Sequence, residues 1–415
     1  MKGSIVLYAI PFFFLLIGIE LMYFYFKKES KYRLNDSLNN LSLGVGNQVA
    51  GALTKTFVFG IVIYAAEHWA LFKLPSNWFT FLICFVFYDF LYYWSHRWGH
   101  TVSFFWGAHI VHHQSEEYNL SVALRQSWFH SVIAFFMFLP LPILGFEPLI
   151  IGLSGGINLL YQFWIHTEAI GKMPRWFEAV FNTPSHHRVH HAINPEYIDR
   201  NHAGVFMIWD QLFGTFQEEK EGRPIRYGIT TQLKSWDPVW ANFHFYVELW
   251  DKMKLANGFS NKVKLVFQKP GFNPVTQSED IVPEPDFKKE KFDADANSRN
   301  KWYALFQFVI VIVGSVIYLI NFKDLSLGYK LVFAAMIFFS IEIIGGIFEQ
   351  KKWAVIGEYL RVLFVVIGIN YYYYFNYPLW MSQMLIASTA IAIISFISYT
   401  FLVKNDLIAS KNSIA

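Results

Sequence analysis

The 415-residue chain has a single cysteine, Cys84. An intrachain disulfide is therefore excluded, and so are cysteine-rich zinc and iron–sulfur sites. Charge is scarce: Asp, Glu, Lys and Arg make up 16% of the chain, against roughly 25% in soluble domains. The net charge of +3 is too small to suggest a nucleic-acid partner. Neither GxxxxGK nor GxGxxG occurs, so nothing in the sequence points to a phosphate cradle. Internal repeats are lacking as well.

Apolar residues fill the space, at 54%, and aromatics alone reach 20%, with 44 Phe, 23 Tyr and 15 Trp. Such a composition predicts an all-α polytopic membrane protein. Stretches near the ~20 apolar residues needed to cross a bilayer lie at 4–26, 44–66, 77–95, 127–146, 148–166, 302–322, 331–349, 354–375 and 378–403. Val362 to Val403 contains no charge and is long enough for two spans, divided at Pro378. The segments 127–146 and 148–166 almost touch at Pro148 and read as a tight hairpin that does not fully cross. The N-terminal apolar run has no small-residue cleavage site and exceeds a signal-peptide core, so it reads as a retained first span.

Lys27, Lys28, Lys31, Arg33, Arg97, Lys351, Lys352 and Lys404 fall on one side if the N-terminus is outside. The positive-inside rule makes that side cytoplasmic, in a bacterial inner membrane or the endoplasmic reticulum. Lys323 and Lys330 lie on the other side. Residues 207–300 are richer in charge and proline and read as a cytoplasmic segment, ending in the solvated run KKEKFDADANSRNK (288–301).

Histidine is concentrated in a way that composition does not explain. Residues 96–113 hold five of the 14 histidines, where about 0.6 is expected by chance. His96 and His100 are four apart. His109, His112 and His113 follow an HxxHH pattern, and His187, His190 and His191 repeat it. Residues three and four apart share a helix face, so three sets of imidazoles can converge at the cytoplasmic membrane surface. Neutral imidazole suits iron, zinc, copper or nickel. Eight ligands are too many for one ion and suit two.

His166, where the fifth segment ends, has a claim as a ninth ligand. His68, His130, His202 and His244 lack patterned partners and read as structural, and His186 points away from His190. Asp89 lies two helical turns before His96, and a carboxylate inside a span is costly and usually functional. Its expected role is to accept a ring N–H from a ligating histidine. Glu116 and Glu117 are candidates for the same outer role. Arg125 and Gln126 are candidates for contact with a lipid head group; the bland alternative for Arg125 is a snorkelling interfacial arginine.

HRWGH (96–100), HIVHH (109–113) and HRVHH (187–191) resemble the histidine boxes of the fatty acid hydroxylase/sterol desaturase superfamily. YDFLYYWSHRWGH, HHQSEEYNLSVALRQS, FNTPSHHRVHHAINPEYIDRNHAG and WDQLFGTF resemble its alkylglycerol monooxygenase branch, over roughly residues 80–220. The resemblance implies a membrane-embedded di-iron oxygenase that uses O2 and two external electrons to hydroxylate or desaturate a lipid. It implies His96, His100, His109, His112, His113, His187, His190 and His191 as iron ligands, with His166 matching the extra histidine between the second and third boxes. Thr101 stands where that branch carries Glu, a departure that bears on the ether-lipid substrate and on tetrahydrobiopterin as the reductant. No haem-binding domain is fused to the chain, so the electron donor is expected to be a separate partner.

The domains expected on this reading are N-terminal spans (1–76), a histidine-box catalytic domain (77–220) and a cytoplasmic segment with linker (221–301). A four-span C-terminal region (302–403) and a cytoplasmic tail (404–415) follow. Two other classes compete. A zinc hydrolase needs three or four ligands, and a metal transporter places its histidines near the bilayer midplane.

Overall fold

A computed structural model describes residues 5–294 and 296–409. Residue 4 of the first predicted span and residues 410–415 of the predicted tail lie outside the described residues. The described chain is mostly helical, and its one two-stranded sheet among the described residues is the short antiparallel pair Phe272–Asn273 with Ser278–Glu279, in the register Phe272↔Glu279. Among the described residues seven helices are long and apolar enough to cross a membrane, so the protein is an all-α polytopic membrane protein.

Contacts divide the chain into two compact units. The first comprises the residues up to Arg33, Thr54–Leu233 and Asn242–Lys291. It contains α1 (Ile5–Lys27), the second half of α2 (Leu34–His68), α3 (Trp78–Thr101) and α4 (Ser103–His113). It continues with α5 (Pro148–Trp164), α6 (Pro184–His190), most of α7 (Pro238–Leu255) and α8 (Phe259–Phe267).

Local chemistry explains where several of these helices begin. The Asn77 side chain accepts the Thr80 N–H at 2.9 Å and caps α3. Pro148 and Pro184 stand in the first turns of α5 and α6, where a missing N–H costs nothing. The sequence expected a continuous apolar segment over 127–146. The structure breaks it into short pieces, His130–Ala134, Phe135–Phe138 and Pro140–Ile143. Pro140 and Pro142 remove N–H donors and disfavour helical geometry just before them.

At 17 residues, α5 rises about 26 Å, short of the roughly 30 Å hydrocarbon core. The seven long helices thus replace the nine sequence segments by omitting this adjacent pair. Removing two crossings leaves the sidedness of every later loop unchanged. The pair instead packs inward: Leu141, Phe146, Ile150 and Ile151 bury against Val62, Cys84 and Leu91.

The second unit comprises Leu34–Leu53, Lys234–Ala241 and the residues from Phe292 onward. It is built on α9 (Ser298–Asn321), α10 (Leu327–Phe348), α11 (Trp353–Asn376) and α12 (Met381–Ser398). Ala304, Phe308, Ile341 and Ile347 form its interior. Within it Arg361 donates to both oxygens of Glu358 and to Gln307, each at 2.6 Å. Glu358 also accepts from Tyr303, and Gln307 donates to Ser395 at 3.0 Å. Each buried charge therefore has a partner in the low-dielectric interior.

Candidate metal centre

The site is assembled from four stretches of the first unit. The last turns of α3 carry His96 and His100. The chain breaks at Val102, which is extended (φ −127°, ψ 118°), and α4 then presents His109, His112 and His113. His166 follows α5, His187 and His190 ride on α6, and His191 is the residue that caps its C-terminus.

All nine are buried. Their ligating nitrogens form two groups, each mutually within 4.8 Å. His96, His100, His109, His113 and His190 make the first group; His112, His166, His187 and His191 make the second. The groups are neighbours: the His113 and His191 rings stack at 4.3 Å, and His187 and His190 at 5.0 Å. The helical spacing explains this division. His112 and His113 are adjacent in sequence and so project about 100° apart, each into a different group.

Tautomers follow from the backbone, because a carbonyl can only accept. His96 Nδ1 donates to the His202 carbonyl (2.8 Å), His112 Nδ1 to Arg125 (2.9 Å), His166 Nδ1 to Gln162 (2.7 Å) and His190 Nδ1 to Arg200 (2.9 Å). The Nε2 atoms of these four rings are therefore bare lone pairs. Those of His112 and His166 lie 3.1 Å apart. Two acceptors at that distance repel unless a cation lies between them. Burial pushes the pKa of His112 down to about 4, and those of His109, His113, His187, His190 and His191 well below the ordinary value. A shared proton is therefore a poor substitute for that cation.

The Nε2 atoms of His100, His190 and His191 are buried without a hydrogen-bond partner. Further Nε2 pairs, His96–His109 and His113–His109 at 3.0 Å and His187–His166 at 2.9 Å, match two nitrogens about 2.1 Å from one ion at roughly right angles. The donor set fits two imidazole-bound transition metals.

Asp89 is fully buried and hydrogen-bonded, but its partners are Asn158 (2.6 Å), the N–H groups of Val205 (2.8 Å) and Phe206 (3.0 Å), and the Trp209 indole (2.9 Å). No histidine is among them. The orienting role expected of it falls to backbone carbonyls, and Asp89 helps fix the loop that carries two of them, those of Arg200 and His202. Asp210 holds the same loop, accepting from His202 N (2.8 Å), Ala203 N (2.7 Å) and Thr215.

Two residues in the left-handed region, Asp199 and Asn201 (both φ 55°), give this loop its shape. Asp and Asn tolerate that conformation better than other side chains. Asn201 also donates to the carbonyls of His186 (3.0 Å) and Gln217 (2.8 Å). Gly204 completes the fit, since a Cβ there would stand 2.7 Å from Asp89 Oδ1.

Arg125 is 2% exposed, with its Nε on the Val111 carbonyl and an Nη on Gln114, both at 2.6 Å. It thus closes the end of α4, and its own carbonyl receives His112. The Gln126 amide nitrogen lies 3.5 Å from His112 Nδ1. Glu117 pairs with Arg33 (2.6 Å) and Lys291 (2.5 Å), and Glu116 with Arg226 (3.2 Å). Thr101 turns its hydroxyl to the Arg97 carbonyl of its own helix (2.9 Å).

His202, which sequence spacing left as structural, stands with its ring 5.1 Å from that of His100, and its buried Nδ1 has no partner. His130 lies 6.1 Å from His109. The pair Asp199 and Asn201, close behind the third box, was the available signal for a shaped loop there.

The Fatty acid hydroxylase family profile matches residues 81–215, a stretch that contains all nine histidines. The alkylglycerol monooxygenase of Homo sapiens is 37% identical over 365 residues, covering 86% of this chain and 80% of that protein. Those of Xenopus tropicalis and Danio rerio are each 32% identical; the former alignment covers 88% of this chain and 82% of that protein, the latter 86% and 81%. No solved structure matches the chain significantly.

Proposed function

The chain belongs to the fatty acid hydroxylase family, with alkylglycerol monooxygenases as relatives over most of its length, and from that premise we propose a di-iron enzyme that hydroxylates a membrane lipid. The coarser reading, an integral membrane lipid monooxygenase, rests on the family and on the seven apolar helices. One observation carries the finer one: nine buried histidines divide into a group of five and a group of four, each with converging nitrogens.

In this reading His96, His100, His109, His113 and His190 hold one iron. His112, His166, His187 and His191 hold the other. When bound, iron supplies the O2 chemistry that side chains lack. The chain's own contribution is to fix the tautomers through the carbonyls of Gln162, Arg125, Arg200 and His202, to keep the rings neutral by burial, and to exclude water. The balance is one lipid C–H, O2, two electrons and two protons, giving C–OH and water. A separate donor provides the electrons, and the active site faces the cytoplasm. Alkylglycerols, named by the relatives, are the first substrates to test; a sterol-like lipid is the other candidate. Asp89 acts as a positioning residue through the 203–206 loop. On this reading residues 77–220 form the catalytic domain, and 302–403 the added membrane region.

The test supplies purified protein with 18O2, a lipid extract or an alkylglycerol, and a reductant, with tetrahydrobiopterin among those tried. Oxidised lipid carrying one 18O and about two irons per chain are expected. Bound metal with no 18O in any lipid, across several electron donors, sinks the oxygenase reading. Robust alkylglycerol cleavage with tetrahydrobiopterin would show that Thr101 does not mark a changed substrate or reductant.

A further inference from the structure

Helix α8 has a buried side and an exposed side, and the exposed side is the apolar one. Leu265 is 3% exposed and packs with Ile110, Phe245, Leu249 and Ala256. On the opposite side Phe259, Val263 and Phe267, four residues apart, are 82%, 38% and 67% exposed. At 100° per residue, Lys262 and Lys264 project about 100° to either side of this stripe. Neither lysine side chain makes a hydrogen bond or ion pair among the described residues; Lys264 is exposed and Lys262 half-buried. The stretch 252–269 holds five lysines and no acidic residue.

The end of the helix is tied to the end of a candidate span. The Gln268 carbonyl accepts both the N–H and the hydroxyl of Ser103, each at 2.9 Å. Ser103 lies two residues beyond the end of α3, a helix long and apolar enough to cross a membrane. The apolar stripe of α8 is therefore held beside the end of a candidate span. An apolar face rimmed by lysines in that position has the character of an interfacial helix.

We propose that α8 lies in the plane of the bilayer surface, with Phe259, Val263 and Phe267 in the acyl boundary and Lys262 and Lys264 on the phosphates of anionic phospholipids. Sequence spacing assigned this region to a cytoplasmic segment, whereas its exposed stripe marks it as a membrane surface element. Because Ser103 begins α4, the same contact sets the depth at which His109, His112 and His113 stand relative to the head groups.

The full chain is placed in lipid nanodiscs of phosphatidylcholine with phosphatidylglycerol. A cysteine is introduced singly at Val263 or at Gln277, which is exposed in the hairpin turn, and labelled with an environment-sensitive fluorophore. Cys84 is fully buried and stays unlabelled in the folded protein. At position 263, lipid nitroxides are expected to quench at least about threefold more than an aqueous quencher, with the reverse at 277. Omitting phosphatidylglycerol should lower lipid quenching at 263. The Lys262→Gln/Lys264→Gln pair should abolish that lipid dependence while leaving metal content unchanged. Aqueous quenching at 263 equal to that at 277 overturns the proposal. So does energy transfer between labels on two copies without lipid quenching, which would make the stripe a contact between chains. Indifference to phosphatidylglycerol removes the head-group assignment. None of these readouts depends on catalytic activity, so their failure is distinct from failure of the oxygenase reading.

Discussion

At the scale of single residues, the bare Nε2 lone pairs of His112 and His166 are the sharpest constraint. Their Nδ1 atoms are committed to the carbonyls of Arg125 and Gln162, so neither ring can turn its N–H inward. The two groups touch through the His113–His191 stack, so a change in one group disturbs the other. Alanine at His112 and His190 together removes one ligand from each group. Iron should fall from about two per chain to well below one, as measured by elemental analysis. Alanine at His100, His113 or His187 should remove nearly all product. His68→Ala is the control: that ring is exposed and bonded to the Tyr64 carbonyl in its own helix, so most activity should survive. Retention of both metals by the double variant would contradict the assignment.

At the scale of elements, the loop after the third box matters as much as the helices that carry the histidines. It delivers the Arg200 carbonyl to His190 and the His202 carbonyl to His96, and it does so only with Asp199 and Asn201 left-handed. Asn201 holds this shape by donating to two carbonyls and by accepting the Gln217 N–H at 2.8 Å. Asn201→Ala removes all three bonds and places alanine in a region it disfavours. A cost of about 3 kcal/mol is expected, together with weaker retention of the metal proposed for the group that contains His96 and His190. Metal loss during chelator dialysis measures the second effect. An unchanged rate would show that the carbonyls do not orient the ligands. The prolines at 140 and 142 act at the same scale, converting a would-be span into short helices that bury against Cys84 and Leu91.

At the scale of the whole molecule, burial of so many neutral imidazoles couples stability to pH. In the unfolded chain histidine titrates near 6.5. In the folded chain burial lowers His112 to about 4 and His109, His113, His187, His190 and His191 well below the ordinary value. Between these limits the unfolded state binds more protons, so the stability present above about pH 6.5 is lost as pH falls towards 4. Cys84, buried and unique, reports unfolding through a thiol-reactive dye. The midpoint of metal-free protein should drop steeply from pH 7 to pH 5, and iron should blunt the drop by holding the rings unprotonated. A flat profile would mean that the rings already carry protons when folded. Sidedness is also testable. Cysteines at the exposed positions Lys28, Lys172, Glu279 and Lys352 should label only from the cytoplasmic side, and those at Lys73 and Lys323 only from the other. Labelling of Lys172 from the outer side would overturn the cytoplasmic placement of the site.

The sequence by itself determined the membrane class, the helical spans from 302 onward and the nine histidines, because apolar run length and three-or-four spacing are local properties of a helix. It could not decide which histidines share a group. The division into five and four depends on how α3, α4, α6 and the end of α5 meet, and adjacent residues such as His112 and His113 part company there. Nor did it reveal what orients the rings. The natural reading gave that task to Asp89, a residue with a distinctive side chain, whereas the tertiary structure assigns it to main-chain carbonyls that every residue possesses. Backbone acceptors leave no mark in residue identity, so only the folded chain brings them to the imidazoles.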